Sequence, residues 1–431
     1  MLGIARYPYQ VVLRIGVFSL KEEFMKDPVR KISAGEQTNR RSFLRNGVVT
    51  AGAAAVGAGL VASPAAVFAQ EGQEEKSGRL SRGDAAILRF LQALETLEAD
   101  LWRQYAELGG ATNQGISPID LKDQNGNPVV TGLAPLYVAG LQQLDGDQPQ
   151  YIVDNTDDEF SHAAFLKAYL DSKGADTVDL NKQFATLPSS KVTGVPQIGR
   201  LTNLTQLTVD TSWWTRYRSD SKNPDFGDSF DQAIPTLNVG RHTAIPRSDA
   251  DLVADNSKPS GVSDHTQAIA NTAGFHFAFI EQGGNSLYPS LAQRVTHPEV
   301  LRILLSIGPT ETQHFQVWHD KAGNAPQLTD TDTGFPGSTG ATVTFPNLND
   351  PSATPTQADE FQTNLIMPEP TIFLNRKFPV VSIIRPTETE GAAMGAVRGL
   401  TADGLFIGQS PAFFALLRDL AEDADEARRE R

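Results

Sequence analysis

Asp157-Asp158-Glu159-Phe160-Ser161-His162-Ala163-Ala164-Phe165-Leu166 and Gly308-Pro309-Thr310-Glu311-Thr312-Gln313-His314-Phe315-Gln316-Val317-Trp318-His319 carry one chemical unit twice. Each holds Glu-x-x-His, as Glu159/His162 and Glu311/His314. Three residues apart on a helix is one face, so each unit aims a carboxylate and an imidazole at one point. Upstream of each unit lies a helical-looking run with its own carboxylate. ETLEADLWRQY (95–105) supplies Glu95 and Glu98, and FHFAFIEQGG (275–284) supplies Glu281. The order Glu, Glu-x-x-His, Glu, Glu-x-x-His is the ligand set of a carboxylate-bridged two-metal site in a four-helix bundle. A single Glu-x-x-His occurs often by chance. Two of them, each preceded by an apolar segment with a Glu, are far more specific.

On these runs the chain resembles a family. AAILRFLQALETLEADLW (85–102) is similar to the first helix of ferritin-like proteins related to desiccation-response proteins. DDEFSHAAFLKAYL (157–170) resembles their second helix, and Glu281 with TETQHFQVW (310–318) the third and fourth. The resemblance implies a mainly α, ferritin-like four-helix bundle. Long, largely irregular insertions are expected between helices 2 and 3 and after helix 4. The implied metal ligands are Glu95 or Glu98, Glu159, His162, Glu281, Glu311 and His314. The expected cofactors are two Fe or Mn ions, with O2 or H2O2 as substrate. Glu159 and His162 are assigned to one metal, and Glu311 and His314 to the other.

The amino-terminal region reads as an address. Asn39-Arg40-Arg41-Ser42-Phe43-Leu44-Arg45 resembles a twin-arginine export signal, followed by an Ala/Gly-rich stretch ending in Val67-Phe68-Ala69. The expectation is a signal peptide over 1–69 with cleavage before Gln70, Met25 being an alternative start. A periplasmic or extracellular location, with no stable membrane span after cleavage, follows.

Composition restricts the chemistry. The net charge is −14. Residues 1–69 hold nine Lys/Arg and four Asp/Glu, which leaves 28 basic and 47 acidic residues after them. That balance argues against nucleic acid as a partner. There is no Cys, so disulfides, iron–sulfur clusters and thiolate zinc sites are excluded. His, Asp and Glu remain as strong ligands, which suits Fe and Mn.

Periodicity and punctuation give the boundaries. Residues 70–82 read as a disordered linker and 83–323 as the bundle. The first helix starts at Gly83-Asp84 with Asp84 as N-cap and ends at Gly109-Gly110. Apolar positions Ile87, Leu91, Leu94, Leu101 and Tyr105 put Glu98 on the inward stripe, with Glu95 one turn back. The other helices span about Asn155–Lys173, His265–Gly283 and Pro298–Lys321. Gly283-Gly284 is expected to end the third, and Gly308-Pro309 to interrupt the fourth. Residues 176–264 read as an ordered insertion, since a structureless loop of that length is unusual. Residues 324–431 read as a C-terminal extension packed on the bundle. Within it PVVSII (379–384) is a short strand or buried extended segment, and 410–431 is helical. Trp213 and Trp214 read as packing residues, and Tyr105, two helical turns after Glu98, as core, the alternative being a hydrogen-bond partner or radical-prone neighbour of the centre. His276 and His319 fall off the ligand face and read as structural or surface.

Two functions of different class follow: a di-metal oxidoreductase consuming peroxide or O2 or oxidising Fe(II), and a non-catalytic stress or envelope protein on the same bundle. Storage in a shell is disfavoured by the insertions and the leader. The expected assembly is a monomer or small homo-oligomer.

Overall fold

Four long helices carry the molecule, and at three of their starts a side chain, of Ser81, Ser263 or His297, accepts from a first-turn N–H. The computed structural model describes residues 76–112, 120–348 and 367–429; the export signal and its cleavage position lie outside them. Helix α1 spans Arg82–Gly109. Its N-cap is Ser81, whose hydroxyl accepts from Asp84 N, and not Asp84. The Asp84 carboxylate instead accepts from the backbone of Thr296 and His297. It ties the start of α1 to a connection far along the chain, which local capping rules cannot see.

A short helix, α2 (Pro135–Leu141), leads into α3 (Gln148–Lys173). Helix α3 starts earlier than its apolar pattern suggested, because Pro149 sits in its first turn where no N–H is needed. It ends at Gly174, in the left-handed conformation at φ 72°. Residues 76–81 were expected to be a free linker. They are docked on that end: Arg79 N donates to Lys173 O, Asp176 N to Lys76 O, and Leu80 is buried.

The insertion contains α4 (Leu180–Phe184), α5 (Ser212–Arg218) and three short 3-10 turns (Pro224–Phe226, Pro235–Asn238 and Asp249–Asp251) joined by irregular segments. Its Leu201, Leu204, Leu207 and Val209 are buried without forming a strand. It is fastened to α1 by Asp100, which accepts from Leu201 N, Thr202 N and Thr202 Oγ1. The buried Arg200 guanidinium adds an ion pair to Glu107. Trp213 and Trp214 are fully buried against Phe275 and His319.

Helix α6 runs unbroken over Asp264–Ala292, and α7 over Pro298–Ala322. Two punctuation rules fail here. Gly283-Gly284 does not end α6, and Gly308-Pro309 does not interrupt α7. Tertiary packing overrides the propensity. Gly308 lets Tyr288 approach so closely that a Cβ there would lie 2.6 Å from the Tyr288 Cβ. Pro309 costs the Leu305 carbonyl its helical partner, but Leu305 is 57 % exposed, so water can take its place.

Helix α1 packs chiefly on α3, and α6 on α7. A two-stranded antiparallel hairpin, β1 (Leu328–Thr331) with β2 (Thr342–Phe345), lies against α6 in a region that reads as irregular in sequence. PVVSII is neither a strand nor a buried extended segment: Val380 and Val381 are exposed, and Val381 makes only an isolated antiparallel bridge to Thr371. Helix α8 (Ala392–Asp403) packs on α6, and α9 (Pro411–Glu426) on α1 and α8. No helix among the described residues is long and apolar enough to cross a membrane.

Candidate metal centre

Four buried glutamates and two histidines converge between the two helix pairs. Glu95 comes from α1, Glu159 and His162 from α3, Glu281 from α6, and Glu311 and His314 from α7. Their ligand atoms form two groups. Glu95, Glu159, His162 and Glu311 make one, and Glu159, Glu281, Glu311 and His314 the other. Within each, all atoms lie within 4.8 Å of one another. Glu159 and Glu311 belong to both. The expected pairing gave each of these glutamates to one metal only; the geometry puts both between the groups.

His162 Nδ1 lies 3.2 Å from Glu159 Oε2, 3.2 Å from Glu311 Oε1 and 3.4 Å from Glu95 Oε2. His314 Nδ1 lies 3.1 Å from Glu159 Oε1 and 3.2 Å from Glu281 Oε2. Around this core the orientation is fixed by hydrogen bonds. His314 Nε2 meets Asp158 Oδ2 at 2.9 Å. That bond gives Nε2 an acceptor for its proton and turns Nδ1 inward, where a cation would replace its proton. Asn155 Nδ2 donates to Glu159 Oε1 at 2.8 Å and to Glu281 Oε1 at 3.0 Å. Trp318 Nε1 holds the Asn155 carbonyl at 2.7 Å. The Tyr288 hydroxyl donates to Glu95 Oε1. Asn155, Asp158, Tyr288 and Trp318 carry no sequence signal of their own. Asp158 and Asn155 are legible only as neighbours of Glu159 on one helix.

The arrangement fits divalent cations on its own chemistry. Glu311 Oε2 is buried and accepts no hydrogen bond, and the buried Glu311 Oε1 and Glu95 Oε2 have only the shared His162 Nδ1, at 3.2 and 3.4 Å, a costly state for carboxylates. Four carboxylates face two imidazoles, and two divalent cations would balance them. In the metal-free chain the charge is relieved by protons. Burial, then the facing Glu311, pushes Glu159 up to about 7. Burial, then Glu95, pushes Glu311 up to about 8. For both histidines burial works against the charged form, but the surrounding carboxylates win and hold them well above the ordinary imidazole range.

A stability consequence follows. The folded metal-free chain holds protons on Glu159 and Glu311 that the unfolded chain, with carboxyls near 4.5, has released. The contribution of these groups is therefore full below about pH 4.5 and is lost as pH rises through about 7 and 8. Metal-free protein should melt at progressively lower temperature over that window, and the slope should flatten in Glu311→Gln. An equal slope in both proteins would contradict the assignment.

Glu98 lies beside the cluster but is absent from both groups. The residue is intermediate in exposure while its carboxyl end turns inward, toward the charges of Glu95, Glu159, Glu311 and Glu281. Three residues turn a helix side chain about 60° from its starting direction, and Glu95 is the one that meets His162 and Tyr288. The apolar stripe favoured Glu98, but α1 is buried nearly all round, so no single stripe marks its inward direction. Trp102, one heptad after Glu95 and buried beside Trp318, was the better pointer. Burial, then the Glu95 charge, raises the Glu98 carboxyl well above its usual range.

Gly284 makes the room for Glu311. A Cβ there would lie 2.5 Å from Glu311 Oε2 and 3.0 Å from its Cδ. Gly284→Ala should displace the carboxylate and weaken metal uptake about tenfold or more, by analogy with losses at supporting residues, while adding helix propensity to α6. Metal titration with thermal melting of the apo form checks both halves. Undiminished affinity would show that Glu311 is free to move.

A cavity of about 350 Å³ lies beside α1, lined by Gln92, Asp100, Arg103, Phe160 and Lys167 among others. It contains none of the converging residues.

Residues 83–324, more than half of the chain, match the family described as ferritin-like domain. No curated protein and no solved structure matches the chain.

Proposed function

This chain belongs to the ferritin-like domain family, and from that premise we propose that it is an exported protein holding two Fe or Mn ions and reacting with peroxide or O2. The observation that carries this reading is the pair of ligand groups sharing Glu159 and Glu311. Two adjacent cations would be held together by carboxylates that reach both, and Glu159 and Glu311 are the glutamates common to both groups.

Glu95 with His162 would complete one site, and Glu281 with His314 the other. A redox-active metal pair so held supplies two electrons to peroxide or O2, or takes them from Fe(II). The protein's own part is positional. Asp158 fixes the His314 tautomer, and Asn155 spaces Glu159 from Glu281. Tyr288 holds one Glu95 oxygen and so aims the other at the cluster. Burial of all six side chains keeps bulk water from competing for the ligands.

Elemental analysis should find about two Fe or Mn per chain, and hydrogen peroxide should be consumed. Consumption should vanish in His314→Ala and Glu159→Ala. Unchanged turnover in both variants would sink the redox reading. A second reading, a non-catalytic envelope or stress protein, draws on the large insertion fastened to α1 through Asp100 and Arg200. A folded, stable chain carrying no stoichiometric metal would favour it. The export segment lies in residues 1–69, and its test is the amino terminus of protein recovered outside the cytoplasm.

A further inference from the structure

A continuous aromatic path leaves the centre and ends on a tyrosine that has its own base. Asn155, hydrogen-bonded to Glu159 and Glu281, accepts from Trp318 Nε1 at 2.7 Å. The Trp318 ring stacks on Trp102 with centroids 5.3 Å apart and planes 23° from parallel. Trp102 is 5.7 Å from Tyr105, and Phe277 bridges the two at 4.9 and 4.6 Å. The Tyr105 hydroxyl meets His276 Nδ1 at 2.7 Å, and His276 Nε2 meets Asp403 Oδ2 at 3.1 Å. Trp102, Trp318, Tyr105, His276 and Asp403 are all buried.

We propose that Tyr105 is a one-electron reservoir for the metal centre, with Trp318 and Trp102 passing the electron and His276 taking the phenol proton. The inference rests on the redox reading above for its physiological oxidant, which is peroxide acting at the metal centre. In the step, a hole on Trp102 is filled by one electron from Tyr105. The Tyr105 O–H bond breaks, and its proton moves to His276 Nδ1. The product is a neutral tyrosyl radical beside an imidazolium, and the indole is restored. Reducing one hydrogen peroxide to two waters takes two electrons and two protons; both protons come from solvent, since the phenol proton stays on His276, and of the two electrons that leave the metal pair one is replaced by Tyr105 through Trp102 and Trp318.

The direction of the path comes from the hydrogen bonds. Trp102 Nε1 is buried with no acceptor among the described residues. An oxidised Trp102 therefore has nowhere to send its proton and remains a costly buried cation. Tyr105 loses electron and proton together and leaves its own ring neutral. The imidazolium formed is compensated at once by Asp403, a pairing that a low-dielectric interior rewards. Burial shields the radical from solvent. The histidine that sequence periodicity sets off the ligand face thus has a task of its own, as a positioning and proton-accepting residue.

Two measurements on the full chain test this. In the first, Fe- or Mn-loaded protein is mixed with hydrogen peroxide, freeze-quenched and examined by electron paramagnetic resonance. A tyrosyl signal is expected that is lost in Tyr105→Phe and kept in Tyr151→Phe, whose ring also neighbours Trp318. His276→Gln should lower its yield and remove its solvent isotope effect. Peroxide consumption without a tyrosyl signal, or a signal surviving in Tyr105→Phe, overturns the inference and leaves the proposed function standing. In the second, metal-free protein is oxidised by pulse-radiolytic azide radical, and conversion of indolyl to tyrosyl radical is followed by absorption. Loss of a conversion phase in Tyr105→Phe upholds the path even where the loaded protein ignores peroxide. Identical conversion in the variant overturns it.

Discussion

Glu311→Ala should empty the centre as a whole rather than half of it. Glu311 belongs to both ligand groups, so its removal takes one ligand from each cation. Loss of a mere supporting partner at a metal site costs roughly 10–100-fold in affinity. A shared ligand should cost more, and elemental analysis is expected to fall from about two metals per chain toward none. The same substitution should stabilise the metal-free fold, because it deletes a buried carboxyl group whose Oε2 accepts no hydrogen bond and whose Oε1 has only the shared His162 ring at 3.2 Å. The pair of signs separates ligand loss from misfolding. Wild type should be the more stable protein with metal and the less stable one without it. One metal retained per chain would mean that Glu311 serves a single cation, and a destabilised apo variant would mean that Glu311 is satisfied in some other way.

The second large effect lies away from the centre. Arg200 and Glu107 form an ion pair in which each side chain is only 1 % exposed, and it fastens the insertion to α1. Removing one partner of a buried pair costs about 3–5 kcal/mol, because the other charge is left buried. Arg200→Met should fall near the lower figure, since Arg103 Nε still donates to Glu107 Oε1 at 2.9 Å. The check is the denaturant midpoint, with Glu107→Gln/Arg200→Met as the second variant. The double variant should regain much of the loss, because it leaves no unpaired charge. A single variant as stable as wild type would show that Asp100 and its three bonds hold the insertion without help.

The helical character of the chain and the place of its four long helices were legible because the bundle writes itself in local terms: apolar spacing, caps, and Glu-x-x-His on one face. The features that misled are those decided by a partner far along the chain. Ser81 and not Asp84 caps α1, because Asp84 is taken by Thr296 and His297. Gly283, Gly284, Gly308 and Pro309 sit inside continuous helices, because two of these glycines make room for Glu311 and Tyr288. Of the seven residues singled out from the motifs, six converge. The exception, Glu98, shows the limit of a single stripe on a helix buried on every side. The surrounding Asn155, Asp158, Tyr288 and Trp318 had no pattern to announce them, since a hydrogen bond across helices leaves no period in a sequence.

Neither helix pair owns a complete set of ligands. The first group draws on α1, α3 and α7, and the second on α3, α6 and α7. During synthesis, α1 and α3 leave the ribosome long before α6 and α7 exist. A nascent chain at that stage presents Glu95, Glu159 and His162 but no site. Cation capture would therefore be the last event of folding, open only to a chain synthesised at least through His314 with both pairs docked. Bound metal would certify a finished molecule, and truncated or misassembled copies would be distinguishable by its absence.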